Sequence, residues 1–161
     1  MRLIIVRHAI AIARGTPGIP DADRALTPRG VQRFRSAARG LARALPRPDV
    51  LLTSPWKRAR ETAEILSEAW GGPEAKDSPA LAGGSLETLA RGLHRYRNAT
   101  VAVVGHEPWL SELLARLLGS SQQERLEFKK GGVAVVDLEG GLEGAGKLVA
   151  YLPPRLMRRL R

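Results

Sequence analysis

The apolar residues of this chain alternate between short unbroken runs and longer stretches in which they recur every three or four positions. Four unbroken runs, each bounded by charged, glycine or proline residues, lie at 3–6, 50–52, 101–104 and 133–136. Runs of this kind are typical of strands that are buried on both faces of a sheet. A fifth strand is predicted at 148–152, pairing with the fourth across the glycine-rich turn 140–146.

The stretches between the runs carry helix signals. The pair Thr27–Pro28 is a favoured helix start, and apolar side chains then recur at helical spacing as far as Leu45. The pair Ser54–Pro55 repeats that start signal, and the helix that follows is predicted to end at Gly71–Gly72.

Two more helices are predicted, one near 86–93 and one from Pro108 onward. Strands that alternate with helices predict an α/β fold in three layers, with a mainly parallel sheet covered by helices on both faces. The glycine- and proline-rich segment 9–25 is expected to form a long loop, and residues 155–161 a frayed basic tail.

Composition narrows the class of protein. A chain of 161 residues, 43% hydrophobic and 26% charged, suits one domain spanning residues 1–161. It has no cysteine, which excludes disulfides and thiolate metal sites and fits a cytoplasmic protein. The N-terminal apolar run is too short for a signal peptide, and no run approaches the length of a membrane span.

The net charge of +10 could attract nucleic acid, an acidic protein or a phosphorylated substrate. Nucleic acid is disfavoured, because the basic residues are not interleaved with the aromatic side chains on which bases would stack. An arginine-rich composition of this kind could also reflect genome composition or a hot habitat.

Two of the three histidines stand directly after predicted strands. His8 follows the first run together with Arg7, and His106 follows the third. The second run leads into a segment that contains Arg58. Because the carboxyl ends of parallel strands meet at one edge of a sheet, these four side chains are expected to converge there.

Those residue types suit phosphoryl transfer. Guanidinium groups bind phosphate oxygens in pairs and remain charged, and a neutral imidazole is a competent nucleophile toward phosphorus. The helix start near Ser54–Pro55 could add backbone donors to the same anion site. No third ligand accompanies His8 and His106 at a recognisable metal-binding spacing, so neither a metal nor another cofactor is expected.

Four segments of the sequence resemble the motifs of the histidine phosphatase superfamily, and they occur in that family's order. They are Arg7-His8 after the first strand (RHG/RHA), Leu26-Thr27-Pro28-Arg29-Gly30 (LTxxG), Ser54-Pro55-Trp56-Lys57-Arg58-Ala59-Arg60-Glu61-Thr62-Ala63 (SPxxRAxxTA) and Gly105-His106-Glu107-Pro108 (GHxP). Together they extend from the first strand to the fourth helix.

The resemblance implies a phosphoglycerate mutase-like fold and a phosphatase that needs no metal. It also implies that His8 becomes transiently phosphorylated, while Arg7, Arg58 and His106 bind the phosphoryl group. Arg60 lies two positions beyond the matched arginine and receives no role. Within the superfamily, this short chain is most similar to the SixA-type phosphohistidine phosphatases.

Larger members of the family place a glutamate after the second helix as a general acid. Here the segment 79–85 has no carboxylate, and only Asp77 and Glu87 flank it. Glu87 is the candidate for that acid. Asp21 and Asp23 are expected to be solvated loop residues, an orienting role near the site being the alternative.

Three functions remain open from the sequence. The first is removal of phosphate from phosphohistidine in a protein. The second is hydrolysis of small phosphomonoester metabolites, with Glu87 or another carboxylate supplying a proton. The third is noncatalytic binding of phosphorylated or acidic partners by the basic surface. The expected partner is thus a phosphorylated protein or a small phosphorylated substrate.

Overall fold

The computed structural model describes residues 1–139, 142 and 146–160. Their strands and longer helices follow one another in the order β1 (Arg2–Arg7), α1 (Pro28–Ala44), β2 (Val50–Thr53), α2 (Lys57–Trp70), β3 (Ala75–Asp77), α3 (Leu86–Leu93), β4 (Thr100–Gly105), α4 (Trp109–Leu117), β5 (Val133–Asp137), β6 (Lys147–Leu152) and α5 (Pro154–Met157). Short 3₁₀ turns lie between some of these elements, including Asp21–Asp23 in the loop after β1.

The six strands form a single sheet in the order β3-β2-β4-β1-β5-β6. The first four run parallel to one another, β5 is antiparallel to β1, and β6 is antiparallel to β5. The predicted pairing of the fourth and fifth strands of the sequence analysis, here β5 and β6, is therefore confirmed. Most of the glycine-rich turn predicted between them lies outside the described residues.

Successive side chains of the central strands enter opposite layers, which is why the apolar runs are unbroken. Ile4 and Val6 pack in one cluster with α1, α2 and α5, whereas Leu3 and Ile5 pack in the other with α3 and α4. All four of these strand residues are buried. The mainly parallel, three-layer α/β fold expected from the sequence is thus confirmed.

Helix boundaries follow the predicted signals with one exception. The Thr27 side chain accepts a hydrogen bond from the amide of Gly30 at the start of α1, and Gly71, with φ of 69°, ends α2. The predicted start of α2 at Ser54–Pro55 is wrong, because this helix begins at Lys57. The Ser54 hydroxyl instead contacts a histidine, as described below.

One strand was not predicted. The short edge strand β3 has only three residues, Ala75–Asp77, of which two are exposed. A segment this short and polar carries no periodicity that distinguishes a strand from a loop.

The described part of the C-terminal segment, residues 155–160, also differs from the expected frayed tail, because it packs against the rest of the fold. Residues 154–157 form α5, whose Met157 is completely buried in the cluster beside α1. The approach is close: a Cβ atom on Gly40 of α1 would lie 1.9 Å from the carbonyl oxygen of Met157. The absence of a side chain at Gly40 therefore permits α5 to dock.

Among the helices of the described residues, none is both long and apolar enough to cross a membrane.

Replacing Gly40 with alanine should destabilise the protein by displacing α5. The added methyl group would overlap the Met157 carbonyl, and we expect the free energy of unfolding to fall by about 1–3 kcal/mol in urea denaturation. Gly92 in α3 is the matched control, since a Cβ there meets no atom within 4 Å. Gly92→Ala should be neutral or stabilising by up to about 1 kcal/mol. Equal effects of the two substitutions would contradict this account.

Candidate active site

Two histidines lie side by side because β1 and β4 are adjacent and in register. Arg7 is the partner of Gly105 in the parallel ladder, and the amide of His8 donates to the Gly105 carbonyl at 3.0 Å. His8 and His106 therefore follow at the same level of the sheet edge. Their ring centroids are 5.1 Å apart, and both side chains are buried.

The neighbouring strand β2 brings a third group to this edge. The amide of Ser54 donates to the carbonyl of Val104 at 2.9 Å, which extends the β2–β4 pairing by one residue. The first turn of α2 then carries Arg58, whose side chain is only 3% exposed. The structure thus brings together His8, His106 and Arg58, which the sequence selected, and Arg7 at the end of β1 is close enough for its charge to lower the pKa of both histidines.

The hydrogen bonds of His8 fix which of its nitrogens carries a proton. Nδ1 lies 2.7 Å from the carbonyl oxygen of Ala9, which can only accept, so Nδ1 must be the donor. The Nε of Arg58 can only donate, and it lies 3.2 Å from His8 Nε2. Nε2 is therefore unprotonated and holds its lone pair toward Arg58.

Burial keeps both histidines neutral. The pKa of His8 is lowered from 6.5 to about 3, chiefly by desolvation; the hydrogen bond to the Ala9 carbonyl opposes this shift, and His106, Arg58 and Arg7 contribute to it. The pKa of His106 is likewise lowered to about 3, first by desolvation and next by repulsion from Arg58. An imidazole that stays neutral in water of ordinary pH retains a lone pair for chemistry.

Ser54 and Trp56 hold His106 in place. Nε2 of His106 lies 2.8 Å from the Ser54 hydroxyl, which also accepts a hydrogen bond from the Trp56 amide at 3.3 Å. The indole ring lies 4.6 Å from the His106 ring, and the Arg58 guanidinium lies 4.6 Å above the same indole. Trp56 lies within the matched motif, but its sequence position alone predicted no role for it.

Arg7 is held by the segment before β5. One of its terminal nitrogens donates to the carbonyl of Phe128 and lies 3.5 Å from the Glu127 carboxylate. The amide of Gly131 donates to the carbonyls of both Arg7 and His8, at 3.1 and 3.0 Å. This segment therefore fixes the main chain and the side chain at the end of β1.

Two buried nitrogens at the site have no hydrogen-bond partner among the described residues. They are Nε of Arg7 and Nδ1 of His106. Because a buried polar atom without a partner is costly, each is suited to a ligand or a water molecule.

Asp21 is not merely a solvated loop residue, so the main expectation for it was wrong and the orienting role given as the alternative is the one that its contacts fit. Arg58 donates to its backbone carbonyl at 2.5 Å and to its carboxylate at 3.2 Å. Buried Arg24 donates to the same carboxylate at 2.9 Å. Although partial burial raises the pKa of Asp21, the hydrogen bonds and charges of Arg24 and Arg58 lower it overall. Asp21 orients Arg58, and the sequence offered no periodic signal for this contact across the loop.

Two motif residues anchor the chain that leaves His8. The Thr62 hydroxyl accepts from the amide of Ala9 at 3.0 Å and donates to the Arg58 carbonyl at 2.6 Å. Gly30 lies against the backbone of Ile10, the residue after Ala9, and a Cβ atom on Gly30 would come within 2.0 Å of the Ile10 carbonyl oxygen. Both residues therefore keep the His8 loop pressed against the helices.

The carboxylates considered as general acids are engaged elsewhere. Glu87 is exposed and lies 3.1 Å from Arg116, and a backbone hydrogen bond together with Ser85 and Arg116 lowers its pKa. Asp77 is paired with Arg60, whose hydrogen bonds lower the Asp77 pKa. Arg60 thus lies on the surface in an ion pair. A carboxyl group whose pKa is lowered is poorly suited to donate a proton.

In the part of the chain that the structure describes, no group of three or more His, Asp or Glu side chains is arranged to hold a metal ion.

Known proteins that are similar to this chain agree with the family resemblance found in the sequence. A family model described as the histidine phosphatase superfamily (branch 1) matches residues 3–83. An uncharacterised protein from Picosynechococcus sp. is 34% identical over 155 residues, covering 94% of this chain and 90% of that protein.

Two solved structures are similar along nearly the whole chain. The protein histidine phosphatase SixA complexed with tungstate is 27% identical, with a TM-score of 0.83 over 96% of this chain and 98% of that one. A candidate phosphohistidine phosphatase SixA from Agrobacterium tumefaciens is also 27% identical, with a TM-score of 0.80 over 95% and 97%.

The buried histidines predict a pH dependence of stability. Their pKa of about 3 in the folded protein lies below the ordinary 6.5, so between these values the unfolded chain binds more protons. The free energy of unfolding should therefore fall as the pH is lowered through this window, by about 1 kcal/mol per pH unit for each histidine.

Urea denaturation at several pH values between 4 and 7 would measure this slope. We expect it to be shallower in His8→Ala and in His106→Ala, since each variant removes one of the groups that only the unfolded chain protonates. The control is His94→Ala, because that side chain is exposed to water in the folded protein as well. An unchanged slope in both site variants would refute the argument.

Proposed function

This chain belongs to the histidine phosphatase superfamily (branch 1) and is a phosphatase, and on that premise we propose that it dephosphorylates phosphohistidine in a protein through a phosphorylated His8. Arg7, Arg58 and His106 bind the phosphoryl group in this proposal. The noncatalytic binding function is not retained, because family membership favours catalysis.

The observation that carries the proposal is the lone pair on Nε2 of His8. The Ala9 carbonyl engages the proton on Nδ1, and burial suppresses protonation of the ring. The nitrogen that remains is nucleophilic near neutral pH without a separate base. When substrate binds, the hydrogen bond from Arg58 Nε would be exchanged for one to a phosphoryl oxygen.

The positive charge around Nε2 of His8 suits a phosphoryl group during its transfer. Arg7 and Arg58 supply fixed cations, and Asp21 keeps Arg58 oriented. The transition state of phosphoryl transfer spreads negative charge over three equatorial oxygens, so donors that are already in position stabilise it without reorganisation. The unpartnered Nε of Arg7 is one such donor.

His106 can supply a further donor. The Ser54 hydroxyl accepts from the Trp56 amide, which leaves its own proton to be donated to Nε2 of His106. In that arrangement the neutral ring carries its proton on Nδ1, the buried nitrogen without a partner. Nδ1 would then donate to a phosphoryl oxygen.

The reaction proceeds in two displacements. Nε2 of His8 forms a bond to phosphorus as the bond from phosphorus to the substrate imidazole breaks, and the departing imidazole takes a proton from water. A water molecule then attacks phospho-His8, releasing inorganic phosphate and a proton and regenerating neutral His8. Neither step requires a carboxylic acid on the enzyme.

The position of the carboxylates favours an activated substrate. Glu87 and Asp77 are each paired with an arginine, and their pKa values are lowered. An alkoxide leaving group needs a proton far more than an imidazole does, and general acid catalysis is typically worth about 10²–10⁴-fold. Similarity to the tungstate-bound protein histidine phosphatase SixA supports the same choice of substrate.

Brief reaction with a labelled phosphorylated substrate should leave phosphate on His8. Phosphohistidine is a phosphoramidate, so the label should survive base and be lost in acid. Mass spectrometry of the digested protein would locate it. His8→Ala should carry no label and show no turnover, while His94→Ala should behave as the unmodified protein. A label on another residue would overturn the assigned mechanism.

The rate should depend steeply on the leaving group. Without a positioned acid, phosphohistidine and aryl phosphates such as p-nitrophenyl phosphate should turn over much faster than alkyl phosphates such as phosphoserine. The measurement is kcat/KM across such a series. A flat dependence, together with a marked loss of activity in Glu87→Gln, would instead assign the protein to hydrolysis of small phosphomonoesters.

A further inference from the structure

We infer that Glu107 is a positioning residue that sets the place of Arg7, acting through the backbone of Phe128. The inference rests on the proposed function, in which Arg7 binds the phosphoryl group. Glu107 directly follows His106, so a residue next to one phosphoryl-binding group would control a second one on another strand.

A short chain of hydrogen bonds connects the two side chains. One carboxylate oxygen of Glu107 accepts from the amide of Phe128 at 2.7 Å. The carbonyl of the same Phe128 accepts from the guanidinium of Arg7. A single residue thus joins Glu107 to Arg7 through its two main-chain groups.

The second oxygen of Glu107 is also occupied. It accepts from both the amide and the hydroxyl of Ser111 in the first turn of α4. The carboxylate is therefore fixed to a helix on one side and to Phe128 on the other. Since both oxygens accept hydrogen bonds, Glu107 is engaged as a structural acceptor, which separates its role from that of a general acid.

The rest of Phe128 is held firmly, so the position of its carbonyl is well defined. Its ring is completely buried and lies 5.4 Å from the Tyr151 ring. The Tyr151 hydroxyl donates to the neighbouring carbonyl of Glu127 at 2.7 Å. The amide of Phe128 is the link in this segment that depends on the Glu107 carboxylate.

A shift of the Phe128 carbonyl would displace the Arg7 guanidinium. Its ion pair with Glu127 is long, at 3.5 Å, and the Glu127 carboxylate is largely exposed, which makes that contact weak. The Phe128 carbonyl is then the main constraint on the guanidinium. Its unpartnered Nε would face the phosphoryl group only while that constraint holds.

Two conservative substitutions of Glu107 distinguish a role in positioning Arg7 from an effect of the negative charge of Glu107. Glu107→Gln keeps the length of the side chain and an oxygen for the Phe128 amide, while its NH2 group can donate to the Ser111 hydroxyl but not accept from the Ser111 amide. Glu107→Asp keeps the charge but shortens the reach. We expect Glu107→Gln to retain most activity toward p-nitrophenyl phosphate. Glu107→Asp should lose roughly 10- to 100-fold in kcat/KM, by analogy with other outer-shell partners of functional groups. The reverse order would overturn the inference.

A double-mutant cycle with Arg7→Ala tests whether Glu107 affects phosphoryl binding through Arg7. Inhibition by tungstate, a phosphate-like oxyanion, should weaken in Glu107→Asp and in Arg7→Ala. In the double variant the aspartate should cost little more than Arg7→Ala alone, because the group that Glu107 positions is already gone. Additive losses would overturn the inference and leave the proposed function standing.

The controls separate this result from a general loss of stability. Glu112→Ala, one residue beyond Ser111, should leave both kcat/KM and tungstate inhibition unchanged. Urea denaturation of each variant reports folding independently. Full activity of Arg7→Ala would remove the proposed role of Arg7 and this inference with it, whereas a loss in Arg7→Ala with none in Glu107→Asp would reject Glu107 alone.

Discussion

The in-register pairing of β1 with β4 is the constraint on which the site depends. Because Arg7 lies opposite Gly105, the chain leaves both strands at one level, and His8 and His106 follow side by side. A slip of one residue would exchange the faces of β1, turning Leu3 and Ile5 toward the layer that holds Ile4 and Val6. The packing of the core on both faces therefore also fixes the distance between the two histidines.

Electrostatics at this edge favours an anion. Asp21 is shared by Arg14, Arg24 and Arg58, so a single carboxylate faces three guanidinium groups, and Arg7 adds a further cation whose partner Glu127 is largely exposed. The same environment that concentrates positive charge also removes water from the histidines, and both effects keep their rings neutral. A phosphoryl group would bring the missing negative charge, and a neutral imidazole is the form that can attack it.

Several residues serve the fold and the site at once. Ser54 extends the β2–β4 pairing through its amide and contacts His106 through its hydroxyl. Thr62 belongs to the second helix yet holds the Ala9 amide next to His8. Gly40 acts at a distance from the site, by permitting α5 to cover α1.

The sequence by itself determined the layers, the parallel strands β1, β2 and β4 and the four groups that follow them, because local periodicity reports which faces are buried and where strands end. Only the tertiary structure decided that Asp21 orients Arg58, that Ser54 contacts a histidine rather than starting α2, and that the C-terminal segment forms α5. These outcomes depend on contacts between residues far apart along the chain. Such contacts leave no periodic pattern in the sequence. A loop carboxylate, a helix-start serine or a basic tail has the same local sequence whether or not the folded chain brings a contact partner to it.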